Sequence, residues 1–373
     1  MKQTFNRPTA MKLQMFGIAL VGLLFLAFGC SDDDHAGPDP TGRVGWAIGY
    51  RGDTASILHT VDGGKTWEEQ GDPGLWEGMT GNDISAVDEW TAWAAVGNMR
   101  GGAILHTSDG GVTWKVQPSP EGVDEEVKGI KGLSREMAWA VTITGTVMRT
   151  MDAGKTWRVI PHDGIAMKQV NRMDVKREDI WIADYGSGET GMIHSPDLGK
   201  TWRRETLTDP HSQTAGFGPM GVSIVNSEIA WAATRPGANI FRTLDGGNVW
   251  RLDAPDVSGP NDLDDICAPQ ADLVWAVQNQ SGMSSGAIIR VRLENGKVIS
   301  DIMDPTGKYV YEGLTCLDEQ TLWVVGFKAF GVSPDLPEGV ILHTSDGGSN
   351  WTTQPLPVQD VALWKVSFVG AHR

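Results

Sequence analysis

The chain has 373 residues, and its 16 tryptophans outnumber its 9 phenylalanines and 4 tyrosines combined. A hydrophobic fraction of 40% and a charged fraction of 21% are typical of a globular protein and exclude wholesale disorder. The formal net charge of −16 argues against nucleic acid and anionic lipid surfaces as partners. A tryptophan surplus in a chain with 47 glycines predicts one unit copied many times.

Residues 1–29 are predicted to be a secretory signal and not part of the fold. Three basic residues precede an apolar stretch that runs from about 15 to 28, which is too short to span a membrane as a helix. The next two residues, Gly29 and Cys30, resemble the cleavage box of bacterial lipoproteins. An ordinary signal peptide or a short anchor is the alternative, and Met11 is an alternative start.

Cleavage before Cys30 would leave a lipidated cysteine followed by a flexible acidic tether over residues 30–43. This predicts a protein outside the cytoplasm, anchored by lipid to a bacterial membrane. The expected location is the outer membrane, facing the periplasm or the cell surface. Loss of residues 1–29 removes three positive charges, so 28 of the 31 basic residues face 47 acidic ones, and the charge becomes −19.

One unit recurs seven times over residues 44–373, the span predicted to form the folded domain. Six copies carry the pattern Ser/Thr-x-Asp-x-Gly-x-Thr-Trp or a weaker form of it, which is the Asp-box or bacterial neuraminidase repeat. The Asp and Trp of these copies are Asp62, Trp67, Asp109, Trp114, Asp152, Trp157, Asp197, Trp202, Asp245, Trp250, Asp346 and Trp351. A decayed copy lies at 292–296. A second tryptophan column is complete, with Trp46, Trp93, Trp139, Trp181, Trp231, Trp275 and Trp323.

Each unit is predicted to form four short strands over about 45 residues, which is typical of a β-propeller blade. The first unit lacks its first strand, because Gly45 and Trp46 open directly on the second. An orphan strand at 366–369 supplies the missing one. The sequence therefore predicts an all-β protein: a single seven-bladed propeller with four-stranded blades, closed when the C-terminal strand completes the first blade.

The repeated motif is predicted to be structural, since its hydroxyl and carboxylate can bond the backbone of a tight hairpin. Copies on separate blades cannot converge on one ligand. The same reasoning argues against a shared zinc site for His59, His106, His194 and His343, one in each of four blades. We predict no catalytic residue, no cofactor and no metal, with a calcium ion at the acidic cluster 262–265 as an alternative.

Cys267 and Cys316 lie on equivalent strands of neighbouring units, one position apart. That offset places their side chains on opposite faces of the two strands, which favours two buried thiols. An oxidising compartment favours a disulfide between them.

Candidate binding residues lie on the rim that carries the loops between second and third strands and between consecutive blades. They combine both signs of charge with aromatic rings: Tyr50, Arg51, Trp76, Arg100, Glu125, Glu126, Tyr185, Arg235, Asp264, Asp265, Tyr311 and Lys328. Among the tryptophans outside the two columns, only Trp76 is predicted on this rim, where an aromatic ring can meet a partner. The loop at 327–339 departs most from the repeat.

The blade signature Gly-Trp-Ala-Ile-Gly, followed by Ile-Leu-His-Thr-x-Asp-Gly-Gly-Lys-Thr-Trp, resembles the photosystem II assembly/stability factor family over about residues 44–373. The resemblance implies a non-catalytic scaffold outside the cytoplasm that presents its open rim to a protein client or membrane-complex subunit. The basic patch of that family has scattered counterparts in Arg51, Arg100 and Arg235.

The alternative is a glycoside hydrolase or glycan-binding protein of sialidase or xyloglucanase type. Glycosidases need two carboxylates roughly 5–9 Å apart, and Glu126 with Asp265 is one candidate pair. The channel mouth distinguishes the two functions. Two close inward carboxylates with stacked aromatic rings favour hydrolysis, whereas a broad charged rim favours protein binding.

Overall fold

A computed structural model describes most of the predicted folded domain. The described residues are 43–162, 164–186, 190–207, 218–235, 237–254, 262–279, 286–295, 297–303, 308–328 and 337–370. The predicted signal, the Cys30 lipidation site and nearly all of the tether lie outside them, as does most of the 327–339 loop. Within these ranges no helix is long and apolar enough to cross a membrane.

The described residues form seven four-stranded antiparallel sheets, which confirms the predicted fold class. Each sheet is one blade, and its strands run from the central channel outward. The first three blades are β28 (Ala362–Phe368), β1 (Gly45–Arg51), β2 (Thr54–Thr60), β3 (Glu68–Gln70); β4 (Thr80–Ala86), β5 (Ala92–Asn98), β6 (Gly101–Thr107), β7 (Lys115–Val116); and β8 (Val127–Gly132), β9 (Ala138–Thr142), β10 (Val147–Thr150), β11 (Arg158–Val159).

The fourth to seventh blades follow in chain order. They are β12 (Val170–Lys176), β13 (Asp179–Asp184), β14 (Gly191–Ser195), β15 (Arg203–Glu205); β16 (Gly218–Ile224), β17 (Ala230–Arg235), β18 (Asn239–Thr243), β19 (Trp250–Ala254); β20 (Asp262–Gln270), β21 (Leu273–Asn279), β22 (Gly286–Glu294), β23 (Lys297–Met303); and β24 (Tyr309–Cys316), β25 (Leu322–Lys328), β26 (Gly339–Thr344), β27 (Thr352–Thr353). One short 3₁₀ helix, Pro73–Leu75, joins the first two blades.

Two rims follow from this topology. The loop rim carries the loops between second and third strands and between blades, and the first residues of every innermost strand. The turn rim carries the hairpin turns between first and second strands and between third and fourth strands. The candidate binding residues were predicted on the loop rim, and the repeated motif lies on the turn rim.

The tryptophan of each second strand forms the core of its blade, with 0–2% of its surface exposed. Directly opposite on the third strand stands a histidine or an arginine in all seven blades. The ring of His194 stacks on Trp181 with 3.8 Å between centroids, and the Arg242 guanidinium lies 5.0 Å from the Trp231 ring. Burial lowers the pKa of His106 to about 4, so this ring stacks in its neutral form. Each histidine of the predicted non-metal set thus packs within its own blade.

The repeated motif folds each outer hairpin through the same local hydrogen bonds. The Thr60 hydroxyl accepts from the Gly64 N–H at 2.9 Å and donates to the Asp62 carboxylate at 2.8 Å. The other carboxylate bonds come from Thr66, whose N–H and hydroxyl donate at 2.9 and 2.7 Å. Equivalent bonds recur at Asp109, Asp152, Asp197, Asp245 and Asp346. These carboxylates are engaged by their own turns.

The C-terminal strand closes the ring, as predicted. Strand β28 pairs antiparallel with β1 from Gly45 opposite Phe368 onward. The Phe368 ring stacks on Trp323 of the seventh blade, with 3.6 Å between centroids. On the outer side, the Gln354 side chain accepts from the Trp67 indole at 3.1 Å and donates to the Gly63 carbonyl at 2.9 Å. The first and last blades therefore share one continuous seam.

The favoured prediction of two buried thiols is wrong and the disulfide alternative is confirmed, because Cys267 and Cys316 form a disulfide with 6.1 Å between their Cα atoms. The offset of one position was read correctly, since Cys267 pairs with Trp275 and Cys316 lies one residue beyond the partner of Trp323. The wrong step was the inference that side chains on opposite faces of the two strands stay apart. Neighbouring blades pack face to face, so side chains on opposite faces of two equivalent strands are the ones that meet between the blades.

Candidate binding site at the mouth of the central channel

Every innermost strand has a β-bulge at the same level, close to the loop rim. A bulge inserts one unpaired residue and bends the strand, which redirects that side chain. We call the seven inserted residues the bulge ring: Trp364, Asn82, Lys128, Asn171, Met220, Asp264 and Glu312. Neighbours in the ring make contact, because Lys128 Nζ donates to Asn82 Oδ1 at 3.4 Å. Likewise, Asn171 Nδ2 lies 3.1 Å from the Met220 sulfur.

The next level of the channel is filled by charged side chains and glycines. Asp83, Arg172, Asp265 and Lys365 supply the charges. Glycine occupies the same position in the three remaining blades, at Gly129, Gly221 and Gly313.

The glycine of the seventh blade lets a cation reach across it. A Cβ atom on Gly313 would lie 3.1 Å from the Cα atom of Lys365 and closer still to the backbone beside it. Without that atom, Lys365 contacts the Asp265 carboxylate two blades away. Burial lowers the pKa of Lys365, and burial likewise raises the pKa of Asp83. The ion pairs therefore form a plug of mixed charge.

The plug leaves little free space inside the channel. Side chains from all seven innermost strands enclose a cavity of about 80 Å³. That volume holds a few water molecules at most, far below the 300–1,000 Å³ typical of ligand pockets. A partner at this end must therefore bind to the mouth, not inside the channel.

Two carboxylates of the bulge ring, Asp264 and Glu312, form the most perturbed group at the mouth. Asp264 is only 6% exposed, and burial together with the charge of Glu312 raises its pKa to about 7. Burial also raises the pKa of Glu312, against the hydrogen bond from Asn279 at 3.0 Å. The Arg235 guanidinium contacts Asp264 and lies 3.4 Å from Asp262. At neutral pH this pair holds a proton for part of the time.

Aromatic rings stand beside the pair. Tyr50 meets the bulge-ring residue Trp364 edge to face, with 5.6 Å between centroids. Burial and the Glu312 charge raise the pKa of Tyr50. From the predicted set, the structure brings together Arg235 and Asp264, with Asp265 one level deeper in the plug and Tyr50 packed on the bulge-ring residue Trp364.

Other predicted residues are engaged locally along the rim. Arg51 pairs with Glu69 at 3.2 Å, and Lys328 pairs with Glu338 at 2.8 Å. The predicted carboxylate pair is divided between two cations, since Glu126 contacts Lys128 at 3.0 Å and Asp265 contacts Lys365. The remaining side chains are Glu125, bonded to Thr142 and Thr146; Tyr185, half-buried; and Arg100, exposed beside the exposed Met99.

Two aromatic predictions need correction. Trp76, predicted to meet a partner, is 1% exposed and donates its indole N–H to the Ala55 carbonyl at 3.0 Å. It caps the short 3₁₀ helix and packs into the first two blades. Tyr311 is fully buried, because it belongs to strand β24 and precedes the bulge at Glu312. Neither side chain is available on the loop rim.

The acidic cluster 262–265, predicted as an alternative calcium site, is engaged by basic side chains of the same protein. Asp262 and Asp264 both face Arg235, and Asp265 faces Lys365, so cations of this chain already lie against the cluster. Among the residues that the structure describes, no group of three or more His, Cys, Asp or Glu side chains is placed to hold a metal ion.

Sequence reasoning missed Arg172, Asn279 and Lys365. A signal existed for Lys365, because it interrupts an innermost strand, ALWKVSF, that is otherwise apolar or small, whereas Arg172 lies among other polar residues in VNRMDVK. No sequence signal marks the bulges, because a bulge is a property of the pairing between strands.

Comparisons with known proteins agree with this architecture. The family model described as photosynthesis system II assembly factor YCF48 matches residues 39–176 and 136–310. Together these segments cover more than half of the chain, which therefore belongs to the YCF48 family of photosystem II assembly factors. No curated protein matches the chain.

Solved structures of similar fold include two YCF48 proteins. YCF48 bound to a D1 peptide is 16% identical, with a TM-score of 0.56 over 77% of this chain and 92% of that one. YCF48 from Cyanidioschyzon merolae is 15% identical, with a TM-score of 0.58 over 84% and 98%. A GH74 xyloglucanase from Xanthomonas campestris is 11% identical, with a TM-score of 0.53 over 86% and 67%. At these identities the similarity shows the fold alone.

The carboxylate pair gives a testable prediction. In Glu312→Gln, the pKa of Asp264 should fall, because the Glu312 charge raises it while glutamine keeps an oxygen for Asn279. Because the folded-state pKa of Asp264 lies above its ordinary value of 3.8, the protein loses stability as pH rises from 3.8 through about 7, and the variant should lose less unfolding free energy over that range.

Carbon NMR of the Asp264 carboxyl and denaturant unfolding across that pH range measure the two effects. Glu126→Gln serves as the matched control, since Glu126 bonds Lys128 on another blade. An unchanged Asp264 titration in Glu312→Gln, or the same fall in the control, would contradict the assigned coupling.

Proposed function

We propose that the protein is a non-catalytic scaffold outside the cytoplasm that binds a segment of a partner protein on its loop rim. The single observation that carries the proposal is the family match over residues 39–310. Within that family, one structure was solved with a D1 peptide bound, so a protein segment is a ligand of that relative.

The geometry of the mouth supports protein binding. Its charges are of both signs and are largely paired with one another, as at Arg51 with Glu69 and Arg235 with Asp264. Arg100 and Met99 are exposed on a neighbouring loop. Exposed arginine and methionine beside a plugged channel are suited to a flat contact, because both residue types are enriched in protein interfaces.

Partner capture tests the proposal. We expect crosslinking of the full-length protein in its native membranes to recover a protein partner. Charge reversal by Arg100→Glu should reduce that recovery severalfold, since an exposed rim charge contributes to association. Lys155→Glu, an exposed lysine on the turn rim, is the matched control and should leave recovery unchanged. Recovery of no partner, together with turnover of a glycan, would overturn the proposed scaffold function.

The proposed location rests on two features. Residues 1–30 resemble a lipoprotein signal with its cysteine, and Cys267 and Cys316 form a disulfide, a bond that persists in oxidising compartments. Mass spectrometry of the native protein should find an acylated Cys30 at the N-terminus and no free thiol at Cys267 or Cys316. An unmodified chain beginning at Met1 with both thiols reduced would contradict an extracytoplasmic lipoprotein.

Glycoside hydrolysis is the second candidate, and the Asp264–Glu312 pair is the observation that favours it. A carboxyl with a pKa of about 7 beside a second carboxyl can serve as a general acid at neutral pH. Hydrolysis of xyloglucan or a sialoside that disappears in Asp264→Asn would establish this function. Absence of turnover with both substrates leaves the pair as part of the binding surface.

A further inference from the structure

The turn rim opens into a second, larger recess at the opposite end of the channel from the bulge ring. We call it the turn-side funnel. Its wall is formed where five innermost strands end, at residues 85–87, 131–133, 175–177 and 225–227, together with Phe368 and Gly370. The enclosed volume is about 540 Å³, which lies within the range of small-molecule pockets. The plug of ion pairs separates this funnel from the loop rim.

The funnel is cationic in an acidic protein. Lys131, Lys176 and Arg177 line it, and the described lining residues include no aspartate or glutamate. The chain as a whole carries a net charge of −16, so this sign is a local inversion. Anions repelled by most of the surface would be attracted here.

Two of the three cations have no carboxylate partner in the described part of the chain. Lys131 pairs with Asp174 at 2.9 Å, beneath the wall. The half-buried Lys176 reaches only the Ile224 carbonyl, at the long distance of 3.5 Å. Arg177 is exposed and holds a φ of 56°, a left-handed conformation that glycine adopts more readily.

Burial and neighbouring charges both act on the ammonium group of Lys176. Burial lowers its pKa most, the Asp174 carboxylate opposes that shift, and the charges of Lys131 and Arg177 lower the pKa further. An anion placed between Lys176 and Arg177 would offset both the burial and the repulsion.

Beside Ser85, Asn226 and Ser227, the wall carries an apolar collar. Val87, Leu133 and Val225 are half-buried at the collar, and Phe368 is nearly fully buried behind them. A free inorganic ion would leave these surfaces in contact with water. A ligand that joins one anionic group to an apolar body would satisfy both parts of the funnel.

We propose that the turn-side funnel binds a small carboxylate carried on an apolar body, with the carboxylate between Lys176 and Arg177. This site is independent of the scaffold function, which uses the opposite rim. The proposed contacts are charge-assisted hydrogen bonds at the cations and burial of the apolar body against the collar.

Isothermal titration of the full-length protein with octanoate tests the site, with 1-octanol and inorganic phosphate as comparison probes. We expect octanoate to bind at least tenfold more tightly than either, because each lacks one of the two required features. Affinity should fall when sodium chloride rises from about 0.05 M to about 0.5 M, because the higher salt concentration screens an ionic contact more strongly.

Lys176→Gln and Arg177→Gly should each weaken octanoate binding about tenfold, the effect of losing one charge-assisted bond. Arg177→Gly keeps the experiment informative, because glycine suits the φ at that position and should not disturb folding. Lys115→Gln, an exposed lysine on an outer strand, is the control. Equal binding of octanoate and octanol, no octanoate binding at millimolar concentration, or affinity unchanged in both funnel variants would overturn the proposal.

Discussion

The pairing of strand β28 with β1 is the constraint on which the rest of the propeller depends. It joins residues more than three hundred positions apart and removes the two open edges that an incomplete ring would expose. The same strand delivers Lys365 to the plug and Trp364 to the bulge ring. The channel and its mouth are therefore complete only when the chain end is in place.

Contacts between consecutive blades continue this seam around the channel. A small polar side chain of one innermost strand accepts a hydrogen bond from the next blade's backbone: Ser367 from Ala86, Ser85 from Gly132, and Ser223 from Ala268, at 3.0–3.1 Å. Asp174 accepts from Ile224 in the same way at 2.9 Å. Between the sixth and seventh blades the link is covalent, through Cys267 and Cys316. These contacts fix five of the seven junctions between blades near the axis.

The fold could be predicted from the sequence because its signals are periodic. The two tryptophan columns mark the second strand and the outer hairpin of the blades, and the orphan C-terminal strand marks closure. The site is only partly predictable, since it depends on register and on contacts between blades. Trp76 sits in a loop by sequence but fills a gap between two blades in the structure. The cysteine offset was visible, but its meaning depends on which faces of neighbouring blades meet.

The two ends of the channel differ in chemistry because the plug separates them. The loop rim presents mixed charge with the Asp264–Glu312 pair, and the turn-side funnel presents cations with an apolar collar. Both ends are built from the innermost strands, so both depend on closure.

Equilibrium unfolding of a chain lacking Asp360–Arg373 tests closure most directly, with a chain lacking only residues 371–373 as the control. We predict that the larger deletion abolishes the cooperative transition or causes aggregation, while the control melts like the full chain. A single cooperative transition at an unchanged midpoint after the larger deletion would contradict closure of the ring by the C-terminal strand.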